Sequence, residues 1–155
     1  MEEVGQGALR DGERHFLLAL NRLGVRYLFV GMSAALLQGA RGATEDVALW
    51  FEGIADPRIG EAARSAGGFW ITRSQPPLLG GALGDRFDVV LTLSGLPSFA
   101  REFEGSREVV LDGAPVRLLP LERILHSKRS AARSKAEPGI RQIELALKVF
   151  RKVED

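Results

Sequence analysis

Two carboxylates and a glycine turn hold most of the chemistry legible in this 155-residue chain. The stretch TEDVALW, Thr44 to Trp50, opens an apolar strand with an acid. Side chains two apart on a strand share a face, so Asp46 and residue 48 address the same space. Carboxylates at both positions would bind a divalent metal through hard oxygen ligands, but position 48 is alanine. Glu45 is adjacent and is expected to face the other way. A further acid, Asp88, heads the apolar run RFDVV. Burying such an acid without a partner is costly, so Asp88 is expected at a rim, in a salt bridge, or beside a metal.

The turn comes earlier, in YLFVGMSAALLQG, residues 27–39. It reads as strand, Gly31, Met32, Ser33, then a helix. Glycine allows close approach of the backbone to a ligand, and a helix amino terminus offers free N–H groups to phosphate. The same arrangement also serves as a plain structural turn with Ser33 as the helix cap. A second cluster, RILHSKRSAARSK, places Arg123, Lys128, Arg129, Arg133 and Lys135 in one stretch without an acid. It reads either as a solvated helix face or as a platform for a triphosphate or an RNA backbone. Arg41 follows the turn helix and is within reach of phosphate. His126 reads as a turn or interface residue, and Trp50 and Trp70 as core or as a shelf for a base.

These groups need elements to hold them. Apolar spacing at Phe16, Leu17, Leu20 and Leu23 predicts a helix over 13–23, after a flexible amino-terminal stretch, 1–12. Strands are expected at 27–30, 46–51, within 67–73, and at 86–93. Ser33 caps a helix over 34–38. Pro57 opens another over 58–66. The segment 74–85, rich in glycine and proline, reads as a loop. Asp112-Gly113 marks a hairpin within 107–119. Pro120 starts a helix, Pro138-Gly139 interrupts the chain, and Ile140, Ile143, Leu147 and Phe150 form the stripe of a last helix. The hairpin is antiparallel by construction. The expected fold is therefore α/β (α+β), a small mixed β-sheet with helices packed against it, in a single domain over 13–155.

Composition narrows the chemistry. There is no cysteine and there are two histidines, which removes thiolate nucleophiles, disulfides and cysteine-based zinc sites. The net charge of +1 does not favour a partner class. No apolar run approaches a membrane span, and the first residues lack the layout of a secretion signal. The expected location is the cytoplasm, without a membrane partner.

The order of GMS at 31–33, TEDVALW at 44–50 and RFDVV at 86–90 resembles the nucleotidyltransferase superfamily of the DNA polymerase beta type. Within it, the chain is most similar to the minimal nucleotidyltransferases and the abortive-infection type IV toxins. VRYLFVGMSAALLQGARGATEDVALW and VVLDGAPVRLLPLERILHSKR carry the resemblance, which spans about residues 13–150.

That resemblance implies a metal-dependent enzyme using Mg2+, two ions in the active form, with an NTP such as ATP as substrate. A nucleoside monophosphate would pass to a hydroxyl of tRNA or of a partner protein, with pyrophosphate leaving. A small molecule of the aminoglycoside kind is a third acceptor, and a cognate antitoxin is an implied partner in a toxin–antitoxin system. Carried over residue by residue, Gly31, Met32 and Ser33 contact the nucleotide, as do Lys128 and Lys135. Asp46 and Asp88 bind metal and carry the catalysis. The chain departs at Met32, where the backbone N–H survives, and at Ala48, where the family has a second aspartate that bridges both metals. As written, the chain is expected to be inactive. Ala48 marks either a degenerate member that binds without catalysis or an engineered replacement, and the intact neighbours favour the second. The competing function is a non-catalytic nucleotide- or protein-binding module of a toxin–antitoxin or phage-defence system.

Overall fold

A computed structural model describes residues 2–44, 46–133 and 137–154. In chain order the elements are β1 (Glu3–Val4), α1 (Asp11–Arg22), β2 (Tyr27–Val30), α2 (Gly31–Leu37), β3 (Val47–Phe51), α3 (Pro57–Ser65), β4 (Gly68–Ile71), β5 (Leu78–Gly81), β6 (Phe87–Val90), α4 (Phe99–Glu104), β7 (Arg107–Leu111), β8 (Ala114–Leu118), α5 (Leu121–Ala131) and α6 (Ile140–Glu154). Six strands form one sheet in the order β1-β7-β8-β2-β3-β6, and β4 and β5 form a separate hairpin. The large sheet is mixed. β2 runs antiparallel to β3 and parallel to β8, and β3 runs parallel to β6.

β2 is the apolar centre. Tyr27, Leu28, Phe29 and Val30 are all buried, as expected of a strand covered on both faces. Phe29 lies opposite Leu49 on one side and Leu118 on the other. Helix α1 packs its stripe on that face, with the Phe16 ring 5.4 Å from that of Phe87. On the opposite face Trp50 meets Phe99 of α4 edge-on at 5.3 Å. Trp70 contacts Phe51 at 5.8 Å. Both tryptophans therefore serve the core.

The expected fold class matches, and several local expectations need correction. Residues 2–12 contain structure that the sequence pattern does not announce. β1 joins the sheet edge in parallel with β7, and the Asp112 carboxylate accepts from the N–H groups of Gly7 at 2.6 Å and Leu9 at 2.7 Å. The anchor is long-range in sequence, so no local pattern announces it. Those backbone donors, Leu9 first and with Ala8 among them, hold the Asp112 carboxyl below its usual range. Asp112 reaches them from the αL region, with φ 48° followed by φ 82° at Gly113, the primed turn expected of a tight hairpin. Segment 74–85 contains β5, whose glycines let it lie close against β4. Ser33 is not a cap: α2 begins at Gly31 with Val30 as its N-cap. Helix α4 went unforeseen because its six residues are too few to show a period.

Candidate active site

The register of three strands assembles the candidate site. Val30 of β2 lies opposite Ala48 of β3, and Ala48 lies opposite Asp88 of β6. Asp46 directly precedes β3 and shares the face of residue 48. Position 48 thus stands in a row with the end of β2 on one side and Asp88 on the other. Gly31 closes the row: a Cβ there would lie 3.8 Å from the Ala48 Cβ. Its φ of 63° is open to glycine and costly to most other residues, by about 1–2 kcal/mol. The chain can therefore turn from buried strand into helix beside Ala48.

Asp46 and Asp88 are both exposed at this sheet end. Partial desolvation, the Asp46 charge and a hydrogen bond with Asp46 all push the Asp88 carboxyl up, in that order of size. Asp46 and Asp88, within hydrogen-bonding reach of each other, are the residues here that could hold a divalent cation between them. Among the described residues no group of three or more metal-ligating side chains occurs, which falls short of the set for two ions. Glu45 lies outside the described residues.

The sign of the pH effect follows. A carboxyl whose pKa is higher folded than unfolded adds stability below its unfolded pKa and loses it as pH rises through the folded value. Without metal, the Asp88 contribution to stability is expected to fall as pH rises through its transition, against the opposite contribution of Asp112, and Asp88→Asn should remove that component of the slope. Denaturant midpoints of both proteins across the acidic range test this. Equal slopes would show that folding does not raise the Asp88 carboxyl.

The remaining groups divide. Ser33 is buried, and its hydroxyl donates to the Val30 carbonyl at 2.8 Å and accepts from the Ala48 N–H at 3.1 Å. The Met32 side chain turns away and packs on Gly42 and Gly139, where a Cβ would stand 3.5 Å from the Met32 Cε and 2.5 Å from its sulfur, respectively. Glycine at both positions makes room for it. Lys128 is half-buried and pairs with Glu137 at 3.3 Å. Arg129 pairs with Glu144, and Arg123 meets the buried Glu102 through two hydrogen bonds, at 2.8 and 2.9 Å. So three of the five basic residues of the expected platform already hold carboxylates. Arg133 and Arg41 are exposed. Lys135 lies outside the described residues. His126 borders Gly95, away from the carboxylates.

Sequence reasoning missed one support. The Glu13 side chain, 1% exposed, accepts from the Arg10 N–H at 2.8 Å and from Arg86 Nε at 3.1 Å. The Arg86 carbonyl accepts from the Val47 N–H, so this buried pair braces the strand ends that carry Asp46 and Asp88. The available signal was an acid inside the apolar stripe Glu13, Phe16, Leu17, Leu20.

The mixed sheet with helices packed against it has solved counterparts. One is ANT(2'')-Ia in complex with adenylyl-2''-tobramycin, at TM-score 0.55 and 19% identity, covering 90% of this chain and 89% of that one. Another is the solution structure of the antibiotic-resistance factor ANT(2'')-Ia, at TM-score 0.56 and 17% identity, covering 88% and 80%. ANT(2'')-Ia is an aminoglycoside nucleotidyltransferase. This chain has the nucleotidyltransferase fold. No family model matches it, and no curated protein matches it. Within this nucleotidyltransferase fold a cleft of about 650 Å³ lies at the other end of β2, lined by Arg22, Arg26, Phe103 and Arg117 among others. The cavity bordered by Ser33 and Asp46 is smaller, about 190 Å³, and open.

Proposed function

We propose that this chain is a nucleotidyltransferase with an incomplete metal site, which takes a nucleoside triphosphate and lacks the carboxylate needed to transfer its nucleotide efficiently. The observation that supports this most is the row Val30–Ala48–Asp88 with Asp46 beside it. It puts a methyl group where a third carboxylate would complete the set.

In this reading the turn at Gly31–Ser33 offers backbone N–H groups to the phosphates, and Asp46 and Asp88 hold a divalent cation beside them. Such a cation, when bound, neutralises charge on the triphosphate and polarises it. Gly31 keeps the turn close to residue 48. Lys128 stabilises phosphate charge after exchanging Glu137 for the nucleotide. In the same reading Asp88 is the carboxylate that helps activate the acceptor hydroxyl. The acceptor is a hydroxyl of tRNA or of a partner protein in the toxin reading. ANT(2'')-Ia, bound to an adenylylated tobramycin, supports a small-molecule hydroxyl as a third acceptor.

A second reading is favoured by Ala48 itself: a binding module that holds nucleotide or a partner protein without turnover. Calorimetric titration with a nucleoside triphosphate, with and without Mg2+, tests the first. Micromolar to millimolar binding that Mg2+ strengthens, with one ion per chain, is expected. Absence of triphosphate binding under both conditions would overturn it. Two tightly bound ions would show that another carboxylate fills the missing role.

A further inference from the structure

We infer that Ser33 is a positioning residue, whose hydroxyl holds the backbone of residue 48 against the end of β2 rather than contacting phosphate. The inference deepens the triphosphate reading and rests on it for its consequence in catalysis. The hydrogen bonds that carry it are independent of that reading.

The first argument is the proton count. A serine hydroxyl has one proton and two lone pairs. The Ser33 proton goes to the Val30 carbonyl, at 2.8 Å, inside the protein. One lone pair takes the Ala48 N–H at 3.1 Å. Phosphate oxygens at neutral pH chiefly accept hydrogen bonds. To serve one, Ser33 would have to break its hydrogen bond to the Val30 carbonyl, a loss of about 0.5–1.5 kcal/mol. The residue is only 7% exposed, which keeps the hydroxyl on its partners inside the protein.

The second argument is the ladder. In an antiparallel pair, hydrogen-bonded rungs recur at every second residue. The Glu52 N–H donates to the Arg26 carbonyl at 3.0 Å, and Leu28 and Val30 lie opposite Trp50 and Ala48. The hydrogen-bonded rungs are therefore 26/52, 28/50 and 30/48. Ser33 bridges the two groups that the last of these rungs joins, the Ala48 N–H and the Val30 carbonyl. Val30 is also the N-cap of α2. One hydroxyl thus ties together the end of β2, the first turn of α2 and the backbone of residue 48. Register with Asp88 holds residue 48 from the other side.

For the present chain the consequence is local order. For a chain with a carboxylate at position 48, it is the direction in which that carboxylate points. The test uses Ser33→Ala in the present chain and in an Ala48→Asp background. In the present chain, amide exchange at residue 48 is expected to quicken at least tenfold relative to residues 28 and 50. Metal-free triphosphate affinity is expected to change less than twofold. In the Ala48→Asp background, kcat is expected to fall at least tenfold with KM for the triphosphate within twofold, and Ser33→Thr, which keeps the hydroxyl, to recover most of the loss. Unchanged exchange at residue 48 would overturn the inference. So would a tenfold loss of metal-free triphosphate affinity, the mark of a direct phosphate contact. If the chain binds no triphosphate at all, the transferase reading fails while the exchange measurement still decides the role of Ser33.

Discussion

Ala48→Asp is expected to raise nucleotide transfer at least about a hundredfold over the present chain, the scale on which one charge-stabilising group acts in a preorganised site. The reason is positional. Residue 48 stands opposite Asp88 and two residues from Asp46 on one face, so a carboxylate there would meet the same cation. Space is available, because the Cβ row ends at Gly31 and the face is open beside two exposed acids. Without metal the new charge joins a pair in which Asp88 already resists ionisation, and folding stability should drop. With Mg2+ that loss should reverse, and the variant should gain more thermal stability from the ion than the parent chain does. The assay presents radiolabelled triphosphates with total tRNA, a candidate partner protein and an aminoglycoside in separate reactions. Label on one acceptor only when position 48 is acidic supports the enzyme and names its substrate class. Adding Asp88→Ala should erase the label and keep the fold. A variant that folds, binds Mg2+ and labels nothing in a whole-cell extract would move the conclusion to the binding module.

Phe29→Ala is expected to cost about 3–5 kcal/mol of stability, the usual range for deleting a fully buried phenyl ring. Phe29 is 0% exposed and sits between Leu49 and Leu118 on the central strand. Domains of this kind have about 5–15 kcal/mol in total, so the variant should be partly unfolded at modest temperature. The comparison is Phe69→Ala, where the ring is 55% exposed on the small hairpin and the loss should be well under 1 kcal/mol. Denaturant unfolding of both measures the contrast. Equal midpoints would mean that β2 does not centre the core, and with it would go the argument for how Gly31 and Ala48 come to face each other.

Much of the scaffold was legible because it is local. Four consecutive apolar residues before Gly31 announce a strand buried on both faces. Pro57 announces the start of α3, and Asp112-Gly113 the hairpin, each by a backbone requirement that few other residues meet. The same local logic misled where long-range contacts intervene. Residues 1–12 carry no pattern of their own, and the Asp112 carboxylate orders part of them from more than a hundred positions away. The basic stretch at 123–135 read either as a solvated helix face or as a phosphate platform, because charges along a sequence do not reveal their partners. Glu102, Glu137 and Glu144 arrive from other segments to take up Arg123, Lys128 and Arg129.

The sequence by itself determined which side chains can do chemistry here. It supplies two acids at the heads of apolar strands, a glycine turn after a buried strand, and no cysteine. It also suggested that Asp46 and residue 48 share a face, as residues two apart do wherever the chain is extended. Only the tertiary structure decided which strand lies beside which. Placing β6 next to β3 puts Asp88 across from Ala48 and within reach of Asp46, and no spacing along the chain dictates that neighbour. It also decided the work of Ser33. A hydroxyl near a glycine turn can serve phosphate or backbone equally well by type. Its single proton goes to the Val30 carbonyl, and β3, returning antiparallel to β2, brings the Ala48 N–H to the Ser33 Oγ.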